Sequence, residues 1–406
     1  MKTLLSGGRL FDPRSGSLDQ ADVVFENGRI AEVGTGLDGD ESVDVTDRVL
    51  LPGLFDCHTH VMFSHIDVMR GIQTPFSYRF YEGAKNLEAT LRAGITTVRD
   101  AGGADLGVKK AVADGLIPGP RLQISIRMLS QTGGHGDEWM PFGEHVRWLG
   151  LPYPGAPDTI VDGPEAMRRK TRELIRDGAD VIKVATSGGV LSPRDDPRHA
   201  HFRVDELEAL VSEASAAGRW VMAHAQATDG IKNAIRAGIR SIEHGVYLDD
   251  EAIEMMLDHG TYLVPTLIAP QGVIAAAEEG AQIPEESLRK AREVVDIHRE
   301  SFRKAVAGGV KIAMGTDSGV TPHGENLREL ELMAQGGMRA AHALTATTLA
   351  AAELMGLQGE LGSIEEGKRA DVVVLEGDPF ELKTLTERIQ AVYQDGCRVT
   401  DGATAS

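Results

Sequence analysis

The stretch Leu51-Pro52-Gly53-Leu54-Phe55-Asp56-Cys57-His58-Thr59-His60 decides how the rest of the chain is read. An apolar run that turns polar at its end is the pattern of a buried strand whose C-terminal tip opens onto a site. In extended backbone, residues two apart share a face at about 6–7 Å, so His58 and His60 can both reach one cation. Cys57, between them, points the other way and reads as a small core residue. Alone, a His-x-His pair is more often structural or solvated than ligating, so the remainder of the chain has to decide.

Downstream the pattern recurs, each apolar run ending in a residue able to bind a metal. The runs are Ile182-Lys183-Val184, Met222-Ala223-His224-Ala225, Ile242-Glu243-His244-Gly245 and Met314-Gly315-Thr316-Asp317-Ser318. Strand patterns over 51–57, 96–99, 121–126, 181–185, 220–223, 241–243, 262–265 and 311–315 alternate with helical ones over 164–177, 204–217 and 288–307. Alternation of this kind predicts βα units and a parallel sheet. Eight strands over about 270 residues suit a (β/α)8 barrel, which carries its chemistry at the C-terminal ends of its strands. The alternative, a doubly wound sheet, is weakened because no GxGxxG opens a helix.

The chain ends have another texture. Short strands over 3–6, 21–26, 30–33 and 42–45, with a hairpin signal at Asn27-Gly28, are matched by 371–375, 389–393 and 397–400 around Asp395-Gly396. The expected architecture is therefore α/β: a TIM barrel over residues 53–360 and a small β-sandwich made of residues 1–52 and 361–406.

The 406 residues are 42% hydrophobic and 25% charged, the balance of a soluble globular chain with a sizeable core. A net charge of −19 disfavours nucleic acid and anionic membranes, leaving a small-molecule substrate as the expected partner. Two cysteines exclude a disulfide framework and point to a reducing compartment. The first residues make a poor secretory signal, and no apolar run approaches the ~20 residues that cross a bilayer. A cytoplasmic homo-oligomer is expected.

Four histidines (His58, His60, His224, His244) and Asp317, all at strand ends, read as a metal site. Imidazole and carboxylate suit zinc, and also manganese, cobalt or iron. Lys183 ends an apolar strand, where an ammonium is costly, so its pKa is expected to fall. Ser187-Gly188-Gly189-Val190 forms a glycine-containing loop that brings backbone N–H groups near a ligand. Gln226 and His323 are further candidates for substrate contact. His201, His259, His298 and His342 read as surface or helix-packing residues, and Asp137-Glu138 as a solvated pair.

These motifs resemble the amidohydrolase superfamily. The resemblance rests on the Leu51-to-His60 stretch, on the order His-x-His, Lys, His, His, Asp, and on Gly362-Ser363-Ile364-Glu365-Glu366-Gly367-Lys368-Arg369-Ala370-Asp371-Val372. Thr132-Gly133-Gly134-His135-Gly136, the run from Lys183 to Val190, and Gly315-Thr316-Asp317-Ser318-Gly319 before Pro322-His323-Gly324 are similar to the Xaa-Pro dipeptidase and arginine carboxypeptidase group, with imidazolonepropionase a more distant relative. The resemblance implies a distorted barrel with two divalent ions, zinc first among candidates. His58, His60 and Asp317 then hold the more buried ion, His224 and His244 the other, and Lys183 bridges them as a carbamate formed with carbon dioxide.

It also implies an activated water, with Asp317 handling its proton and His135 donating to the developing oxyanion, a role worth ~3–4 kcal/mol. The implied activity is hydrolysis of a C–N bond in a dipeptide or N-acyl amino acid. Alternatives are a carbamate or aryl-urea hydrolase, an aminohydrolase with one metal and an unmodified Lys183, and an inactive scaffold, which has no need of the full ligand set. Gln226 stands where dipeptidases of this group often carry Tyr, which points towards amides other than proline dipeptides.

Overall fold

A computed structural model describes residues 1–146 and 155–399. The two chain ends build one sheet. Its order is Cys397–Arg398, Ile389–Gln394, Val372–Glu376, Arg48–Pro52, Lys2–Phe11, Leu18–Glu26 and Arg29–Gly34, with Glu41–Asp44 also paired to Lys2–Phe11. Val373 lies opposite Leu51 in an antiparallel register, which joins the two ends directly. Asn27 and Gly28 have φ of 50° and 75°, and Asp395 and Gly396 of 49° and 73°. Two successive positive φ values match the twist of a tight hairpin, and Asn, Asp and Gly tolerate them best. Leu5, Val23, Phe25, Ile30, Leu50 and Tyr393 form the apolar centre of this unit. Of the strand expected over 397–400, Thr400 lies outside the described residues, as do residues 401–406 of the expected sandwich.

The strand expected over 51–57 is two strands. Arg48–Pro52 belongs to the terminal sheet and Leu54–Thr59 to the barrel. Gly53 divides them because a Cβ there would lie 2.3 Å from Thr96 Oγ1 and 2.7 Å from Asp371 Cβ. Its N–H donates to the Asp371 carbonyl at 2.8 Å.

Beyond Gly53 the barrel strands are all parallel. Leu54–Thr59, Ile95–Asp100 and Arg121–Ile124 form one run. Met128–Leu129, Val181–Ala185, Trp220–Ala225, Ser241–His244, Tyr262–Val264 and Lys311–Ile312 form the other. Met128–Leu129 resumes the path of Arg121–Ile124 after a turn at Ile126, so the two runs make eight staves. Closure comes from Cys57 N–H to the Met314 carbonyl at 2.9 Å and His60 N–H to the Ser318 carbonyl at 2.7 Å. Staves buried on both faces carry near-continuous apolar runs, as Val181–Ala185 does. Cys57 is fully buried beside Phe55, Tyr262 and Val264.

Helices flank the staves, among them Pro164–Arg176, whose proline sits in the first turn, and Val204–Ala216. After Tyr262–Val264 comes a helical pair, Ile268–Glu278 and the 24-residue Glu285–Gly308. Val273, Ala291 and Val294 on this pair join Ile66, Val190, Val246 and Val320 in a separate apolar cluster. Among the described residues, no helix is long and apolar enough to cross a membrane.

Candidate metal centre

At the C-terminal ends of the staves, His58, His60, Lys183, His224, His244 and Asp317 line one cavity of about 160 Å³. His58 and His60 come from the first stave and the turn that leaves it. Pairing aligns Ala185 with His224 and Ala225 with His244, so successive staves deliver their ligands in a rising arc. Asp317 follows the last stave, and its N–H donates to the His58 carbonyl at 2.7 Å. His244 and Asp317 have φ of 73° and 62°, and the cavity-lining residues Ile126 and Thr266 have 66° and 53°. Left-handed backbone is costly for side-chain-bearing residues, most of all for a β-branched one such as Ile126, and persists where the surroundings over-determine it.

The imidazoles are oriented from behind. His58 donates its Nδ1–H to Glu243 Oε2 at 2.7 Å and His60 donates to the Gly102 carbonyl at 2.7 Å, while His244 Nδ1 is bonded to Thr266 Oγ1 at 2.7 Å. Such outer bonds fix which nitrogen is left for a metal. The Nε2 atoms of His58 and His60 lie 3.4 Å and 3.2 Å from Asp317 Oδ1. His298, from the long helix, donates to the His244 carbonyl at 2.8 Å.

Charge is arranged to match. Burial pushes the Glu243 carboxyl up, but Arg99, 2.9 Å away, and His58 outweigh it and hold it down at about 2. Burial also opposes ionisation of Asp317, yet bonds from His58 and His60 keep its carboxyl well below the usual range. Burial drives His224 and His244 well below an ordinary histidine, which leaves neutral rings with a lone pair. Lys183 falls to about 8 through burial, against the pull of Glu243 and Asp317, as its place in an apolar strand predicts.

Among the described residues, one ligand group converges. One atom each from His58, His244 and Asp317 lies within 4.8 Å of the others, a nitrogen and carboxylate donor set that fits a divalent ion. This corrects the expected cofactor set. In place of two ions, zinc first among candidates, bridged by a Lys183 carbamate, the structure has a three-residue group for a single ion. Lys183 Nζ lies 3.4 Å from His58 Nε2 and faces the anions Glu243 and Asp317 as a buried amine. His224 stands apart from the group, its Nε2 donating to the Gly188 carbonyl at 3.1 Å.

Of the expected substrate contacts, His135, Gln226 and Val190 line the cavity. The Gln226 side-chain oxygen is buried without a hydrogen-bond partner among the described residues. Ser187, Gly188 and Gly189 lie behind the wall, where Ser187 Oγ accepts from Gln226 N–H at 2.7 Å. His323 also lies outside it, bonded to the Phe63 carbonyl at 3.0 Å and facing Thr90 Oγ1 at 3.3 Å. Sequence reasoning passed over Glu243, Arg99 and Asp56, the last of which accepts from His58 N–H and from Thr316. Glu243 carries a signal, as a carboxylate next to a strand-end histidine on a buried stave. His298 and Glu138, read as packing and solvated residues, line the cavity, and His201 is buried. His259 and His342 are exposed, as expected.

A profile of the amidohydrolase family matches residues 49–400. Ochratoxinase from Aspergillus niger is 37% identical over 404 residues, covering 95% of this chain and 83% of that protein. A crystal structure of a Xaa-Pro dipeptidase with methionine in its active site superposes with a TM-score of 0.90 at 33% identity, covering 99% of this chain and 100% of that one. A prolidase complexed with N-methylphosphonate-L-proline also reaches 0.90, at 37% identity, over 98% and 99% of the two chains. Ligand group, barrel and matches together show that the chain belongs to the amidohydrolase family, among the metal-dependent hydrolases that resemble Xaa-Pro dipeptidases and imidazolonepropionases.

Proposed function

We propose that this chain hydrolyses the amide bond of a small N-acyl amino acid or dipeptide with an apolar flank, using one divalent ion held by His58, His244 and Asp317. The convergence of those three side chains carries the reading. When bound, the ion supplies Lewis-acid polarisation and a more acidic water. Asp317, itself one of the three holding groups, would take the proton of the attacking water through its carboxylate and pass it to the leaving amine. His135, its Nδ1–H turned to Asp195, offers the Nε2 lone pair to the hydroxyl that forms on the carbonyl carbon as water adds, and Gln226 offers its unpartnered oxygen to a substrate N–H. Ile66, Val246, Val273, Val294 and Val320 form an apolar wall that suits a hydrocarbon side chain and excludes water from the bond being cut. Arg127, a buried guanidinium in the same lining, suits a carboxylate. The likeness to a dipeptidase with bound methionine supports a substrate containing an amino acid.

The single-ion group also favours a second reading, aminohydrolase chemistry at one metal. A panel of N-benzoyl-L-phenylalanine, dipeptides, aryl ureas, carbamates and cyclic amidines, given to enzyme reconstituted with zinc, manganese or cobalt, separates the two. The expected result is one ion per chain, turnover of the N-acyl amino acid, and loss of both on chelation. Release of ammonia from the amidines alone selects the aminohydrolase, and full turnover by stripped protein overturns both.

A further inference from the structure

Behind His135 lies a buried chain of polar groups that the metal group does not use. Lys290, on the helix Glu285–Gly308, is 2% exposed. Its ammonium donates to the carbonyls of Gly189 at 2.8 Å, Ser192 at 2.6 Å and Asp195 at 2.9 Å, and lies 3.3 Å from Asp195 Oδ1. A buried ammonium is costly unless every proton finds an acceptor, and here four oxygens surround it.

Asp195 is thereby held against the cavity wall. Its Oδ2 accepts from Gly189 N–H at 3.1 Å and from His135 Nδ1–H at 3.0 Å, and Ser192 Oγ, which donates to its Oδ1, shares that same Nδ1–H at 2.8 Å. Burial pushes the Asp195 carboxyl up, but His135, Ser192 and Lys290 outweigh it and hold it down at about 2. A carboxylate in that state only accepts, so the proton between the two residues belongs to His135 Nδ1. The ring is confined from its faces as well. It stacks on His224 at 4.2 Å with 14° between planes, and a Cβ at Gly189 would lie 2.3 Å from His135 Cε1. Nε2 has no hydrogen-bond partner among the described residues, and His135 lines the cavity.

We propose that Asp195, itself held by Lys290, is a positioning residue that sets the plane and tautomer of His135 and so presents Nε2 to the substrate. The inference rests on the proposed role of His135 in catalysis. A glycine at 189 and a lysine at 290 then have one purpose: the first lets the ring lie flat, and the second pins the loop that carries Asp195.

Two measurements test it. In ¹⁵N-histidine spectra of metal-free protein, with His135 assigned by its loss in His135→Gln, the ring is expected to carry a proton on Nδ1, and Asp195→Asn is expected to move that proton to Nε2. A wild-type ring with its only proton on Nε2 overturns the proposal, and this readout stands whether or not the probe is a substrate. With N-benzoyl-L-phenylalanine, Asp195→Asn should lower kcat on the order of 100-fold with KM within about threefold. In the His135→Gln background the same change should cost less than about threefold. An equal loss in both backgrounds assigns Asp195 a purely structural part and overturns the proposal. No turnover by wild type sinks the proposed substrate instead, and leaves the tautomer to decide the inference.

Discussion

Glu243 holds the metal group together from outside it. Its carboxylate accepts a hydrogen bond from His58 Nδ1–H, faces Arg99 at 2.9 Å, and accepts from Ser241 Oγ at 2.5 Å, all in the buried interior. Glu243→Gln keeps the shape but removes the charge that balances Arg99 and puts an amide where His58 needs an acceptor. Leaving Arg99 buried and unpaired is expected to cost about 3–5 kcal/mol in denaturant unfolding. Metal affinity, read by competition with a chelator, is expected to fall on the order of 10–100-fold. Unchanged affinity would show that His58 needs no orienting anion. The signal at this scale was partly legible, because a carboxylate beside a histidine at a strand end stands out. Its pairing with Arg99 was not, because the two are 144 residues apart.

Between the strand Val181–Ala185 and the helix Val204–Ala216 runs a segment that carries Asp195, Gly189 and His201. His201 is 5% exposed, its Nδ1 has no hydrogen-bond partner among the described residues, and burial lowers its pKa to about 4. Unfolded, it titrates near 6.5. Between those values the unfolded chain binds the extra proton, so the stability that His201 contributes is complete above pH 6.5. It is lost as pH falls towards 4, by about 3 kcal/mol in all, and is level below. Urea titrations from pH 7 to 4 are expected to show that slope, and His201→Gln to reduce it. An unaltered slope would place the acid sensitivity elsewhere. The sequence marks this segment by its glycines, but nothing local reveals that a lysine about a hundred residues away pins it.

Polar ties join the barrel to the terminal sheet, among them Gln394 Nε2–H to the Thr96 carbonyl at 3.1 Å. Arg121, on the third stave, reaches Asp371 at 2.9 Å and Asp395 at 3.0 Å, and Asp371 is almost fully buried. Arg121→Ala is expected to lower stability by about 1–3 kcal/mol, since a buried carboxylate loses its countercharge, while metal content and turnover stay unchanged. Loss of metal in that variant would show that the sheet shapes the site. Placing the site at one end of the barrel and the sheet at the other accounts for the expected separation, because the side chains of Arg121 and His58 belong to opposite ends of the staves.

Local pattern was enough to mark the eight staves, the two hairpin turns and the strand-end residues that line the cavity, because each depends on periodicity and turn chemistry within a few neighbours. It also announced the lowered pKa of Lys183, which follows from burying an amine. Tertiary structure alone decided that His58, His244 and Asp317 converge while His224 turns to a carbonyl, since convergence depends on the tilt and closure of staves that are distant along the chain. The same holds for the break at Gly53, forced by contact with Thr96 and Asp371, and for the ties from Glu243 to His58 and from Lys290 through Asp195 to His135. Side chains that meet only after the barrel closes leave no mark in the order of residues.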